Sequence, residues 1–499
     1  MARRGCEPAP EYPGDVYGIR FLLETARQLR SHTMLQQRRR MLDTLGHTIR
    51  HRTFPDPFVT ITTDDPENVK AVLSTKFEDW NIPALRIHSF LPVLGRHSIF
   101  MTNGPEWAHS RAIMRPAFVR DQISDLACFD RHIDKLVARI RRAGGRPVDL
   151  QALFSMLTTD SISDFMFGHT TGLLGADADA DALRFGACFD ASMQAIARKA
   201  RLGWLTLVLP DRELAAHTRF MRAFVAKYVA EVRAKQQQQQ RHSSSTATTT
   251  TTTTNPPSSD DDDGNEHSSD EREKYVFLHE LLRSGEPDDV VRDHLLSIFT
   301  AGRDTTTSVL SYLFYELSRR ADVAARIRGE MAAAALQQRR RGDDPTWEDL
   351  RGMRYLGWVV KEALRLNPPV ASNQREAVRD TVLPRGGGPD GSAPVFVAKG
   401  TTCRYLPWVM HRRKDIYGDD ADEFRPERWE NLRLTFEYLP FNAGPRICIG
   451  QQFALTQLAM VTFRLLQAFP TIERRDDRPP IQRLGVNTSM LYGTWVSMT

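Results

Sequence analysis

Apolar residues recur with helical periodicity along most of the chain. Positions three and four apart are apolar, and polar residues fill the positions between them, which is the pattern of amphipathic helices. Helices are predicted over residues 16 to about 50, 105–235, 288–340, 346–367 and about 449–468. This distribution predicts a largely helical protein.

Short stretches have the composition of β-strands. Residues 58–63 are apolar and β-branched and predict a strand, and glycine-containing turns at 386–388 and 390–391 mark a region of loops and strands. The chain also ends in short β-like pieces. Because these pieces are few, the predicted fold class is mainly α with small β-sheets.

The periodicity is interrupted over residues 236–274. This tract contains five consecutive glutamines, a run of serine and threonine, two prolines and four consecutive aspartates. A segment of this composition cannot bury enough apolar surface to offset the entropy of ordering it. We therefore predict that 236–274 is a disordered low-complexity insertion.

Composition excludes several classes of protein. The 499 residues have a formal net charge of +5, which is small for this length and does not favour a nucleic-acid partner. The five cysteines are scattered without zinc-site or C-x-x-C spacing, which fits reduced thiols better than a disulfide framework. The sequence contains no run of about 18 apolar residues, so no transmembrane helix is predicted. The polar N-terminus does not have the apolar centre of a signal peptide.

The segment from Phe441 to Gly450, F-N-A-G-P-R-I-C-I-G, carries the strongest chemical signal. Its Gly-Pro pair predicts a tight turn before Cys448, and an apolar helical pattern begins just after Gly450. A cysteine at a helix N-terminus is favoured as the thiolate by unpaired N–H groups and the helix dipole. Phe441 can shield the thiol, Arg446 offers donors to an anion, and Gly450 allows close backbone approach. A lone cysteine would be interpreted as an inert buried thiol, but five fixed positions favour a ligand.

This segment resembles the haem-binding signature of the cytochrome P450 family, and further motifs follow in the family's order over nearly the whole chain. The resemblance implies the cytochrome P450 fold as a single domain over 16–499, with haem b and Cys448 as the thiolate ligand of its iron. It implies a monooxygenase that uses O2 and NADPH, with electrons delivered through a flavoprotein reductase. A thiolate ligand pushes electron density towards bound oxygen and favours O–O cleavage.

A second motif, A-G-R-D-T-T, lies in the helix predicted over 288–340. Ile298, Ala301, Gly302 and Thr305 fall on one helix face, and glycine inside a helix costs about 1 kcal/mol relative to alanine. We therefore expect something to lie against this face, although core packing alone would explain an isolated motif. The motif resembles the family's central helix. That resemblance implies that Thr305 hydrogen-bonds the oxygen being activated and that Asp304 helps to feed protons towards it.

Glu362 and Arg365 lie three residues apart on a predicted helix, where they are neighbours on one face. Such a pair is usually a solvated surface pair. Here it is followed by a P-E-R element that contains Arg428, and together they resemble the family's E-x-x-R and later arginine. The resemblance implies that the three residues form a structural lock rather than a catalytic group.

Other motifs suggest groups that bind the haem propionates. Trp107 and Arg111 match the family's W-x-x-x-R element and lie one helical turn apart. Arg446 and Arg375 occupy positions where the family often places propionate ligands, and the planar arginine fork suits a carboxylate. For Arg375, an ordinary surface arginine is the alternative.

The wording of these motifs resembles that of fungal cytochromes P450 that hydroxylate n-alkanes and fatty acids. Residues 94–100 differ from the glycine-containing loop of that group, in a region that normally lies over the substrate. The alternatives are a cytochrome P450 acting on a secondary metabolite, an isomerase or dehydratase that does not activate external O2, and a haem protein that only binds or senses a ligand. The Asp304-Thr305 pair favours the monooxygenase over the last two.

The resemblance also implies partners and a location. We expect a monomer at the cytosolic face of the endoplasmic reticulum, with NADPH–cytochrome P450 reductase as electron donor, an apolar small-molecule substrate and peripheral membrane contact. Segment 1–15 resembles the hinge that follows an anchor helix, and the anchor itself is expected to be missing. Two basic surfaces are expected, 38–40 towards anionic lipid and 412–414 with Arg446 towards the acidic reductase.

Overall fold

The computed structural model describes residues 5–14, 17–54, 59–118, 127–175, 178–202, 211–247, 277–338 and 347–499. Helix predominates, and the strands form four small sheets. The predicted fold class, mainly α with small β-sheets, is confirmed.

Most of the long helices fall in the predicted regions, which the structure divides more finely, whereas the helices at 66–70, 84–94, 277–283, 407–410 and 414–417 lie outside them. The helices are α1 Ile19–Arg30, α2 Met34–Leu45, α3 Pro66–Lys70, α4 Ala84–Leu94, α5 Gly104–Met114, α6 Ala127–Arg142, α7 Leu150–Phe167, α8 Ala180–Leu202, α9 Arg212–Ala247, α10 Phe277–Arg283, α11 Asp288–Leu317, α12 Ala321–Gln338, α13 Trp347–Gly352, α14 Arg354–Leu366, α15 Pro407–Met410, α16 Lys414–Tyr417 and α17 Gln451–Ala468.

The sheets are small and mostly antiparallel. Their strands are β1 Thr48–His51, β2 Thr60–Thr63, β3 Trp80–Asn81, β4 Val148–Asp149, β5 Asn373–Ala377, β6 Thr381–Gly387, β7 Ala393–Val397, β8 Thr402–Tyr405, β9 Ile472–Arg474, β10 Gln482–Leu484, β11 Thr488–Met490 and β12 Trp495–Met498. The largest sheet has the order β1-β2-β8-β5-β3, with β2 and β8 parallel. The others are β4-β12-β9 and the pairs β6-β7 and β10-β11.

Helix α11 runs through the main hydrophobic core and packs along α7, α14 and α17. It is buried around most of its circumference, so its polar residues need partners inside the helix. Ser297, Thr300, Thr307 and Ser311 each donate a hydroxyl hydrogen bond to the carbonyl four residues earlier. A helix this rich in hydroxyls can therefore lie in the core without unpaired donors on these four residues.

The N-terminal region differs from its prediction. The helix predicted over 16 to about 50 is divided into α1, α2 and β1, because the chain turns at His32, which has φ 56°, where the Ser31 hydroxyl bonds the carbonyls at the end of α1. The described part of the hinge-like segment, 5–14, is not a free linker. Its backbone pairs with the hairpin β6-β7 and with β1, and Cys6 is buried. The predicted strand 58–63 is observed as β2, and Phe58 lies outside the described residues.

The predicted insertion is helical where it begins. Helix α9 continues to Ala247, so the expectation of disorder is wrong for 236–247, while 248–274 lies outside the described residues. Glutamine, arginine and alanine are good helix formers, and extending an existing helix avoids the cost of nucleating a new one. Composition alone missed this continuation.

In the described part of the chain, no helix is both long enough and apolar enough to cross a bilayer.

Candidate active site

Cys448 lies in a tight loop that ends where α17 begins. Its backbone N–H donates to the carbonyl oxygen of Phe441 at 2.9 Å, which closes the loop. Gly444 has φ 67°, and a Cβ atom there would lie 1.8 Å from the carbonyl oxygen of Leu73. Only glycine fits that position. The predicted turn before the cysteine is observed as the 3-10 turn Gly444–Arg446.

The thiol of Cys448 is accessible, yet it is surrounded by protein. Burial raises the pKa of this thiol, while the Gly450 N–H and the charge of Arg111 act weakly in the opposite direction. Desolvation therefore outweighs the effect of the helix N-terminus, which favours the thiolate as predicted. A coordinated metal ion deprotonates a thiol outright, so this site suits a thiolate that binds a metal.

Four arginines gather beside this loop. Burial first, and then the charges of Arg375, Arg86 and Arg111, lower the pKa of Arg446 to about 9. Burial and Arg375 likewise lower the pKa of Arg86 to about 10. The groups to which the four donate hydrogen bonds are neutral: backbone carbonyls and the side-chain amides of two asparagines. Clustered cations with neutral partners make a site that an anion would stabilise.

The predicted propionate residues are brought together by this arrangement. The guanidinium of Arg446 lies 4.5 Å from the ring centroid of Trp107, and that of Arg111 lies 5.9 Å from it. Arg111 also donates to the carbonyl oxygen of Ile447 in the cysteine loop at 2.9 Å. Arg375 lies on β5 and is buried, so it is not the surface arginine that was its alternative.

Sequence reasoning missed Arg86. It lies on α4, and its guanidinium donates to the Asn373 side-chain oxygen at 2.9 Å, which also accepts from Arg375 at 3.3 Å. No motif in the sequence marks Arg86, because α4 and β5 are almost three hundred residues apart along the chain. Only the tertiary structure places these arginines together.

The donor set fits haem b. This group is an iron porphyrin that carries two propionate carboxylates, and the site offers one accessible thiol and a cluster of four arginines. Burial and mutual repulsion lower the pKa of Arg446 and Arg86, and two carboxylates would offset the repulsion. Cys448 would hold the iron, and Arg86, Arg111, Arg375 and Arg446 would hold the propionates.

The predicted oxygen-activating residues lie on α11. Ala301, Gly302, Asp304 and Thr305 are only partly buried, unlike most of this helix. The Thr305 hydroxyl donates to the carbonyl oxygen of Ala301 at 2.6 Å, so its oxygen is left to accept a hydrogen bond. Burial raises the pKa of Asp304, and its partner Arg303 opposes this shift. The helix thus presents a hydroxyl and a carboxyl group that is easier to protonate than usual.

A Cβ atom on Gly302 would lie 2.7 Å from the Cδ1 atom of Ile162, so the glycine gives room to α7. Gly450 shows no steric need for glycine, since a Cβ atom there would make only ordinary contact with the ring of Phe118 at 3.6 Å.

Glu362, Arg365 and Arg428 meet in the interior, and their side chains are 0%, 0% and 2% exposed. Arg365 binds both carboxylate oxygens of Glu362 at 2.8 and 2.9 Å, and Arg428 binds one of them at 2.9 Å. The indole N–H of Trp429 and the backbone N–H of Arg425 donate to the same carboxylate. The carboxylate therefore joins α14 to the chain around 425–429 in one buried network.

The two predicted basic surfaces are largely wrong. Arg38 is buried over the ring of Phe21, and Arg39 pairs with Asp422. On the other surface, Arg412 and Arg413 are 10% and 11% exposed and pair with aspartates, and Arg446 points inwards to Trp107. Only Arg40 and Lys414 remain exposed. A linear run of cations does not show which of them point to solvent.

Comparison with known proteins agrees with this geometry. The family model described as "Cytochrome P450" matches residues 8–492. The chain is 40% identical to cytochrome P450 monooxygenase himC of Aspergillus japonicus, over 99% of this chain and 84% of the relative. It is 36% identical to cytochrome P450 52A5 of Candida maltosa, over 89% and 82% of the two chains, and 37% identical to cytochrome P450 52A1 of Candida tropicalis, over 88% and 78%.

The family match spans both α11 and the cysteine loop, so it covers the thiol, the arginine cluster and the acid–threonine pair together. Members of this family bind haem b and use O2 with electrons from NADPH that arrive through a reductase. The chain belongs to the cytochrome P450 family and is a cytochrome P450 monooxygenase.

Proposed function

We propose that this monooxygenase hydroxylates an n-alkane or a fatty acid. The overall reaction converts R–H, O2, NADPH and a proton into R–OH, water and NADP⁺, so one oxygen atom enters the C–H bond and the other leaves as water. The substrate class rests on the amino-acid sequence of two motifs, which resembles that of the fungal alkane and fatty-acid hydroxylases. The motifs are A-G-R-D-T-T and G-P-R-I-C-I-G-Q-Q-F-A-L. The similarity to cytochromes P450 52A5 and 52A1 supports this substrate class.

Each residue of the site has a proposed task. Haem b, when bound, supplies the one-electron and O2 chemistry. Cys448 would bind the iron and Phe441 would shield the thiol, while the Gly450 N–H donates to the sulfur. Trp107, with the four arginines, fixes the propionates and hence the orientation of the ring.

Asp304 and Thr305 are proposed to deliver protons. Because burial raises the pKa of Asp304, its carboxyl group can carry a proton at a higher pH than an ordinary aspartate. The Thr305 hydroxyl is held in a fixed position by its hydrogen bond to the Ala301 carbonyl. There it accepts a hydrogen bond and relays a proton. An isomerase or dehydratase would not need this pair, and its presence favours the monooxygenase.

A second candidate substrate class is an apolar secondary metabolite. This class is favoured because the chain is more similar to cytochrome P450 monooxygenase himC than to cytochromes P450 52A5 and 52A1. The two classes share the haem site and differ only in what lies over it, where residues 94–100 depart from the alkane-hydroxylase wording. Monomeric state, contact with the cytosolic face of the endoplasmic reticulum and docking of the reductase are proposed on the resemblance alone.

Substrate binding tests this proposal. The reconstituted protein and reductase should give a low-to-high-spin spectral shift and hydroxylated product with n-alkanes or saturated fatty acids. Polycyclic aromatic natural products of similar mass are the comparison set. Shifts and product with the aromatic set alone would support the secondary-metabolite candidate and contradict the alkane proposal.

Replacing Thr305 with alanine should separate electron use from product formation. We expect haem content and substrate binding to be retained and hydroxylated product per NADPH to fall by about a hundredfold, the lower end of what a positioned proton donor contributes. The electrons then leave as hydrogen peroxide. Thr306→Ala is the matched control, because Thr306 is buried on the adjacent position of α11. Unchanged coupling in Thr305→Ala, or equal loss in both variants, would count against the role of Thr305.

A further inference from the structure

The guanidinium of Arg303 on α11 uses all five of its N–H donors. Its Nε donates to the Thr159 hydroxyl at 2.9 Å, and one Nη2 donor goes to the Ser155 hydroxyl at 3.0 Å. The other three donors go to carboxylates. Nη1 binds both Asp190 and Asp304, the latter at 3.0 Å, and Nη2 binds the second oxygen of Asp190 at 3.3 Å. Full use of the fork fixes the position of this side chain.

These partners come from three helices. Ser155 and Thr159 belong to α7, which packs closely along α11, and Asp304 belongs to α11 itself. Asp190 alone comes from α8, whose other contacts with α11 include the rings of Phe185 and Phe189 against Phe299. The bond from Arg303 to Asp190 is therefore the charged part of the contact between α8 and α11.

One buried cation is thus shared by two carboxylates. Arg303 is 6% exposed, whereas Asp304 is 29% and Asp190 is 53% exposed. The charge of Arg303 lowers the pKa of Asp304, and the charge of Asp190 raises it. The charge of Asp190 thus offsets part of the hold that Arg303 has on Asp304.

We propose that Asp190 is a positioning residue for proton delivery, because its carboxylate shares Arg303 with Asp304 and so links the docking of α8 on α11 to the release of Asp304. This inference rests on the proposed roles of Asp304 and Thr305. When α8 is docked, Arg303 divides its donors between the two carboxylates, so it holds Asp304 less tightly and Asp304 exchanges a proton more easily. Without the Asp190 charge, Arg303 pairs with Asp304 alone and holds it as the anion.

The consequence is a shift between two balanced reactions. Coupled turnover takes R–H, O2, NADPH and H⁺ to R–OH, H2O and NADP⁺. When proton delivery is slow, O2, NADPH and H⁺ give H2O2 and NADP⁺ instead. Without an organic substrate, O2 is reduced either to H2O2 by one NADPH or to two H2O by two NADPH with two H⁺. The ratio of peroxide to NADPH therefore reports proton delivery with any substrate or with none.

The test uses the holoenzyme with its reductase and compares Asp190→Asn with Asp190→Glu. Asparagine keeps the shape and removes the charge, whereas glutamate keeps the charge. For Asp190→Asn we expect kcat for product to fall by about fivefold, the lower end of typical coupling between linked sites, with peroxide per NADPH rising and KM unchanged. Asp190→Glu should restore most of the coupling. Asp181→Asn is the control, because Asp181 is an exposed acid on the same helix.

Three outcomes would overturn the inference. The first is a peroxide yield in Asp190→Asn equal to that of the wild type. The second is a change in KM and substrate-binding spectra without a change in peroxide yield, because that result indicates a purely structural contact. An equal effect in Asp181→Asn would show a nonspecific charge effect. Parallel assays of Thr305→Ala distinguish the two levels. If Thr305→Ala stays coupled, the proposed proton relay fails, whereas uncoupled Thr305→Ala with coupled Asp190→Asn rejects Asp190 alone.

Discussion

Replacing Cys448 with alanine should abolish the haem–thiolate spectrum and reduce turnover to background. The purified wild-type protein should contain one haem per chain, and its reduced CO complex should show the red-shifted Soret band of thiolate ligation. The physical reason is that, among the cysteines whose side chains the structure describes, Cys448 alone has an accessible thiol, and it lies in an otherwise desolvated loop. The arginine cluster would retain its attraction for the propionates, but the iron would lack its protein ligand.

Cys188→Ala is the matched control for this experiment. Cys188 is another free cysteine, it is 7% exposed in the hydrophobic core, and it belongs to α8 rather than to the cysteine loop. Its removal should leave the spectrum and the haem stoichiometry unchanged. A Cys448→Ala protein that keeps the thiolate band would show that the ligand has been assigned to the wrong residue.

Truncating Glu362 should prevent recovery of folded, haem-loaded protein. The carboxylate accepts from Arg365, Arg428, Trp429 and the backbone N–H of Arg425, so alanine leaves two guanidinium groups and two further donors without this partner. Removing one member of a buried ion pair typically costs about 3–5 kcal/mol. That is a large share of a total stability of about 5–15 kcal/mol. Denaturant unfolding and haem content of whatever folds would measure the loss.

The chain offers a matched control for this prediction as well. Glu280 and Arg283 form a Glu–Arg pair at the same three-residue spacing on α10, with a distance of 2.8 Å, but their side chains are 30% and 65% exposed. Such surface pairs contribute about 0–1 kcal/mol, so Glu280→Ala should fold normally. Glu362→Gln keeps the shape of the side chain and one acceptor oxygen, although an NH2 donor replaces the other oxygen. It should therefore be less damaging than Glu362→Ala. A stable, haem-loaded Glu362→Ala protein would contradict the role of the lock.

The arginines show how far sequence reasoning reached at the haem site. Arg111, Arg375 and Arg446 were predicted from local motifs of the family, and the structure brings them into one cluster. Arg86 lies in no motif, and it joins the cluster because α4 packs near β5. The same limit applies to Arg303: its motif was recognised, but the role of Asp190 was not, since no spacing rule relates residues 113 positions apart.

Charge runs were the least reliable signal. Arg38 and Arg412 belong to runs that predicted solvent-exposed surfaces, but the first packs over Phe21 and the second over Trp408. Arginine has a long apolar stem and a flat head that stacks on aromatic rings, so its burial depends on neighbours that are distant in sequence. The described part of the hinge-like N-terminal segment pairs through its backbone with β1 and with the hairpin β6-β7, and the hairpin is likewise distant in sequence.

The sequence by itself determined the fold class, the family and the members of the buried lock, and it predicted Cys448 as the ligand of the haem iron. Those features depend on local periodicity and on residues at short fixed spacings, which chain connectivity alone keeps together. The tertiary structure alone decided that Arg86 joins the arginine cluster beside the cysteine loop, that Gly302 makes room for α7, that the Cys448 thiol is desolvated, and that Asp190 shares Arg303 with Asp304. Each of these depends on burial and on Coulomb interactions between distant segments, and these are set by packing rather than by position along the chain.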